Sequence, residues 1–88
     1  MTSLAKQTVR FSETQIDDEY VVMILDSGEF LSLAGTAGAI WTLIDGLRDR
    51  DAILSELTLR YDAPADEIAA DLDEFLDLLR ENGLVAAA

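Results

Sequence analysis

The sequence predicts an α+β domain, a small antiparallel β-sheet of two to three strands followed by three helices in a winged helix-turn-helix-like order. Three observations carry this. The hydrophobic period changes from strand-like to helical near Ala34-Gly35, and the apolar residues beyond that point recur at three- and four-residue spacing. Turn residues punctuate the chain at Asp26-Ser27-Gly28, Gly46 and Asn82-Gly83. With 88 residues and no repeat or linker, residues 1–88 read as a single domain with room for one modest core, about residues 20–85.

Residues 1 to 6 show no period and are expected to be loose, while Gln7 to Ser12 alternates and suits a first strand or an extended arm. Glu13 to Glu19 is polar and acidic and reads as a connector. Tyr20 to Leu25 is apolar almost throughout, as in a strand covered on both faces or central in its sheet. A tight turn at Asp26-Ser27-Gly28 leads to a second strand, Glu29 to Leu33, with Phe30 and Ser32 pointing one way and Leu31 and Leu33 the other.

Thr36 is placed to cap a first helix of about Ala37 to Asp45 that turns Ile40, Trp41 and Ile44 inward and ends at Gly46. Asp49 caps a second, with Ile53, Leu54, Leu57 and Tyr61 on one side and a Glu56–Arg60 pair one turn apart on its surface. Pro64 opens the third, where its missing N–H costs nothing, and Asp66 and Glu67 complement the helix dipole. Ile68, Leu72, Phe75, Leu76 and Leu79 form its apolar face. Asn82-Gly83 stops it, Leu84 supplies the apolar contact of such a cap, and Ala86 to Ala88 is expected to fray. A helical cluster anchored by Trp41 and Phe75 is the expected cover for the sheet.

Composition narrows the chemistry. The chain has no Cys and no His, which removes thiolates, the commonest general base and the commonest metal ligand. The carboxylates of Asp17-Asp18-Glu19 and of Asp71, Asp73 and Glu74 follow no Ca²⁺-loop spacing, and no nucleophile–base pair or phosphate-cradling loop is present. The expectation is a protein that is not an enzyme and takes no cofactor or metal. A net charge of −12 disfavours nucleic acid and anionic membranes, so the DNA-binding use of a winged helix is set aside. No apolar run has signal-peptide or membrane-spanning character, which gives a cytoplasmic expectation. Asp26-Ser27 superficially matches the phosphopantetheine site of a carrier protein, but it sits in a predicted hairpin turn with no helix starting at Ser27. An acidic interaction module, antitoxin-like or DNA-mimicking, remains the alternative.

Asp26-Ser27-Gly28, the strand ending in Leu33, Thr36-Ala37, Ala39-Ile40-Trp41, Leu43-Ile44-Asp45-Gly46, Tyr61, Asp71-Leu72, Phe75-Leu76, Leu79 and Gly83-Leu84-Val85 together form a wider pattern. In order and spacing it resembles the PqqD-like family over about residues 20 to 85. These are small peptide-recognition domains of pathways that make ribosomally synthesised, post-translationally modified peptides, including pyrroloquinoline quinone and lasso-peptide biosynthesis. Ala34 and Ala37 stand where the family often has Asn and Gly, and the N-terminal third lacks the Pro-rich opening of the quinone-cofactor members, which favours a lasso-type or uncharacterised relative.

The resemblance implies a non-catalytic adaptor that binds a precursor's leader peptide as an added β-strand and presents it to a modifying enzyme of the same gene cluster, such as a radical SAM enzyme or a protease. It implies a groove between the edge strand and the third helix, formed by Glu29, Phe30, Leu31, Ser32, Leu33, Ile68, Asp71, Leu72 and Phe75. The residues support the physics independently: Glu29 to Leu33 carries one charge and no Pro and is lightly protected as an edge. The same edge is expected to allow strand-paired or swapped dimers, the latter through an arm of residues 1 to 12.

Overall fold

A computed structural model describes residues 3–87. In chain order it contains β1 (Leu4–Lys6), a 3₁₀ turn (Thr8–Arg10), β2 (Phe11–Ile16), β3 (Glu19–Ile24), β4 (Phe30–Leu33), α1 (Gly35–Leu43), α2 (Arg50–Arg60), α3 (Ala65–Glu81) and β5 (Val85–Ala87). The α+β arrangement of a small antiparallel sheet and three helices is as expected. β2, β3 and β4 form a meander in that order, and β1 pairs with β5 in a separate antiparallel ribbon.

That ribbon corrects both ends of the sequence reading. Leu4 to Lys6, expected to be loose, pairs Leu4 with Ala87 and Lys6 with Val85, and the same register orders the tail expected to fray as far as Ala87. Ala88 lies outside the described residues. On its other side, Leu4 donates its N–H to the Arg48 carbonyl at 2.9 Å and accepts from the Gly46 N–H at 2.9 Å. A three-residue strand with one large apolar side chain has no readable period. Its order comes from these main-chain partners and from the burial of Leu4 and Val85.

The acidic connector is also a strand. β2 pairs with β3 over six residues, from Phe11 opposite Ile24 to Ile16 opposite Glu19. The two-residue turn Asp17-Asp18 that joins them has Asp17 at φ 54°, a left-handed conformation that aspartate tolerates better than most residues. Only Phe11 of β2 is buried, so the strand lacks the alternating apolar pattern that reveals a half-buried one.

Three helix boundaries shift. The first helix starts at Gly35, whose φ of 58° makes the turn out of β4, and Thr36 therefore lies inside the first turn instead of capping it. It ends at Leu43, and Gly46, at φ 82°, serves the contact with Leu4 rather than the helix end. Pro64 is the N-cap of α3 and Ala65 its first residue. The Asp49 cap forms as expected, its side chain accepting from the Ala52 N–H at 2.8 Å. At the end of α3, Leu84 N–H reaches the Leu79 carbonyl at 2.9 Å and Gly83 N–H the Arg80 carbonyl at 3.0 Å, the pair of bonds that closes a Schellman cap.

One core unites the sheet with the helices. Val22, Ile24 and Leu33 meet Ile40, Trp41, Ile44, Ile53, Leu57, Leu72, Leu76, Leu79 and Leu84, all nearly or wholly inaccessible. Trp41 is 0 % exposed. Its ring takes Phe11 edge-on with 5.2 Å between centroids, and Lys6 Nζ sits 4.5 Å above it. Its indole N–H donates to Glu13 Oε2 at 2.6 Å, so the only polar atom of the largest fully buried side chain is satisfied by a strand whose polar sequence reads as a connector. Burial pushes the Lys6 ammonium below the usual lysine range, with Glu13 and Asp45 acting the other way. Among the described residues no helix is long and apolar enough to cross a membrane.

Removing the Glu13 acceptor strands a buried donor, which costs about 1–3 kcal/mol. Glu13→Ala should therefore lower the stability by that amount in urea unfolding, while Glu13→Gln, which keeps an acceptor, should lose clearly less.

Candidate functional site

β4 is an edge of the three-stranded sheet, and its register fixes which main-chain groups it leaves open. Opposite residues are Tyr20–Leu33, Val21–Ser32, Val22–Leu31 and Met23–Phe30. Ile24 N–H donates to the Glu29 carbonyl at 2.8 Å, which makes Ile24–Glu29 a hydrogen-bonded pair. Such pairs alternate in an antiparallel ladder, so Leu31 and Leu33 bond inward to β3, and the N–H and C=O groups of Phe30 and Ser32 point to the free edge. Four groups thus face outward on two residues.

The position of this edge is set by α1. Gly38 lies so close to β4 that a β-carbon there would stand 3.2 Å from the Leu33 carbonyl oxygen, tighter than ordinary packing. Glycine in a helix interior is costly relative to alanine, and here it permits the close approach. The turn before β4 is closed by Gly28, at φ 75°, whose N–H reaches the Ile24 carbonyl at 2.7 Å.

α3 has two unlike flanks beside its core face. On one, Arg50 of α2 bonds both Asp73 oxygens at 2.9 Å and holds that carboxyl below its usual range. Whatever stability this exposed pair supplies is present at neutral pH and fades as the pH falls through the lowered folded-state value; it is a small surface contribution. The helical turn places Asp71, Phe75 and Leu78 on the opposite flank, away from α2. There an open depression of about 430 Å³ is lined by Asp71, Glu74, Phe75, Asp77, Leu78 and Glu81.

The residues expected to form a groove divide by burial. Glu29, Phe30, Ser32 and Asp71 are exposed, and Leu31 and Phe75 are half-buried against the common core. Phe30 is 66 % exposed. Leu33, Ile68 and Leu72 are buried at 4 %, 5 % and 0 % and offer no side-chain surface. β4 rests chiefly on β3 and α1, and α3 chiefly on α2 and β5. Ser32 Oγ donates to Glu19 Oε2 at 3.2 Å. Leu78, which is 41 % exposed, lines the depression with Glu74, Asp77 and Glu81, none of which the sequence assigns to the groove. The signal was present in Leu78 itself, an apolar residue three positions after Phe75 and off the core stripe. Among the described residues no group of three or more acidic side chains is gathered to hold a metal ion.

The family model for coenzyme PQQ synthesis protein D matches residues 19–85. Two solved structures share the fold. "TbiB1 in Complex with the TbiA(beta) Leader Peptide" is 25 % identical over 86 % of this chain and 88 % of that one, with a TM-score of 0.78. "Lasso peptide synthetase B1 complexed with the leader peptide" covers 96 % of this chain and 98 % of its own with a TM-score of 0.80; at 23 % identity that likeness is one of fold alone. No curated protein sequence matches significantly.

The open and closed positions of β4 respond differently to proline, which removes one N–H. Leu31→Pro deletes an inward ladder bond and should lower the melting temperature by many degrees. Ser32→Pro deletes an N–H that faces outward at an edge, where proline is tolerated, and should leave the circular dichroism spectrum unchanged and the melting temperature within a few degrees.

Proposed function

The chain belongs to the PqqD family, and from that footing we propose that it is a non-catalytic adaptor that binds the leader of a ribosomally made precursor by strand addition. The observation that carries this reading is the outward row of main-chain groups on Phe30 and Ser32 in an edge strand that also exposes the Phe30 side chain. An extended peptide laid antiparallel to β4 satisfies all four groups, and every second side chain turns toward α3. The ladder is indifferent to sequence; selection of one leader falls to Leu31, Phe75 and Leu78 as apolar contacts and to Asp71 beside them. Leu33, Ile68 and Leu72 support these residues from the core.

An adaptor of this kind has no bond to make or break. Its contribution is to hold the leader so that the segment beyond it meets a separate modifying enzyme, a radical SAM enzyme, protease or other, encoded in the same cluster. The same edge accommodates β4 of a second copy, in which case leader binding and self-association compete.

Titration of the precursor peptide encoded beside the gene should give nanomolar to micromolar affinity, roughly −8 to −12 kcal/mol. Folded Ser32→Pro protein should not bind it. Undiminished binding by that variant would place the peptide elsewhere.

A further inference from the structure

The depression along α3 carries more charge than a purely apolar leader would use. Asp71, Glu74, Asp77 and Glu81 surround Phe75 and Leu78, in a chain whose net charge is already −12. The protein's own cations are engaged elsewhere. Arg10 pairs with Asp26, Arg48 with Asp45, Arg50 with Asp51 and Asp73, and Arg60 with Glu56. Lys6 lies over Trp41. Only Arg80 comes near the depression, 3.7 Å from Asp77 on its rim. Among the described residues no basic side chain lies within ion-pair distance of Asp71, Glu74 or Glu81.

The dimensions of a strand and a helix then constrain the partner. Along α3, Asp71 and Glu81 are separated by roughly 15 Å of helical rise, with Phe75 and Leu78 between them at about 6 and 10 Å. Side chains on one face of an extended peptide recur about every 6.8 Å, so three of them span roughly 14 Å. A peptide lying along this flank therefore sets its middle residue over the Phe75–Leu78 pair and its outer two beside the carboxylates at either end.

Resting on the strand-addition reading, we propose that the docking segment of the leader has the pattern basic–any–apolar–any–basic. Lys or Arg at its ends meets Asp71 and Glu81, and an apolar residue between them covers Phe75 and Leu78. The intervening residues turn to the outer side of the sheet, beside Phe30 and Ser32. The pattern reads the same in both directions, so it holds whichever way the strand runs. The acidic surface also draws such a peptide in from solution and disfavours acidic competitors.

The test uses a displayed library of random 12-residue peptides, sorted against the full chain at about 100 mM salt, with the enriched sequences resynthesised. The expected winners share two Lys or Arg residues four positions apart around a central apolar one. They should bind roughly tenfold more weakly to the Asp71→Lys, Glu81→Lys double variant, and about as well as before to Asp62→Lys, which reverses an exposed carboxylate off this flank. Their affinity should also fall several-fold from 50 to 500 mM NaCl as the pairs are screened. Winners that fail on Ser32→Pro protein yet carry no basic flanks, or ignore the double reversal, would overturn this inference and leave strand addition standing. No enrichment, or winners indifferent to Ser32→Pro, would overturn strand addition itself and this inference with it.

Discussion

The burial of Trp41 is the constraint on which the rest of this fold depends. A 9.6 kDa chain without disulfides has one core, and its largest side chain must be enclosed with its N–H satisfied. β2 meets both demands by bringing Phe11 against the ring and Glu13 to the indole nitrogen. Because β2 is paired with β3 along its whole length, docking Trp41 also docks the sheet on α1. α1 in turn approaches β4 at Gly38 closely enough to fix the height of that strand. The open main-chain groups of Phe30 and Ser32 are held in place by a chain of contacts that begins at the tryptophan.

On the proposed adaptor reading, this dependence supplies what the task needs without reactive side chains. A strand edge recognises peptide through its main chain, and the requirement is rigidity rather than acid, base or nucleophile. Pre-ordering the edge lowers the conformational cost of binding, since only the peptide has to be ordered. The strong acidity and the lack of His and Cys are compatible with that proposed task.

The helical half of the fold was legible because its signals are local. Asp49, Asn82-Gly83 and the stripe from Ile68 to Leu79 act within a few residues of themselves, and their caps and faces form as read. The N-terminal third was not legible, because its order is non-local. Leu4 depends on Gly46, Arg48 and Ala87, and Glu13 depends on Trp41, 28 residues away. In the candidate site, the edge strand and its face alternation were readable from Phe30 to Leu33. The division of its main-chain groups was not, since it follows from one register and one hydrogen bond, Ile24 to Glu29. Burial separates Leu33, Ile68 and Leu72 from their exposed neighbours, and the turn of α3 sets Leu78 in the depression beside Asp71 and Phe75.

Residue-resolved amide hydrogen exchange on β4, with and without a leader peptide, tests the central claim most directly. In the free protein the Leu31 and Leu33 amides should be protected by their bonds to β3, and those of Phe30 and Ser32 should exchange rapidly. Leader should slow exchange at Phe30 and Ser32 by a large factor and change Leu31 and Leu33 much less. A saturating leader that leaves Phe30 and Ser32 exchanging as fast as before would contradict strand addition at this edge.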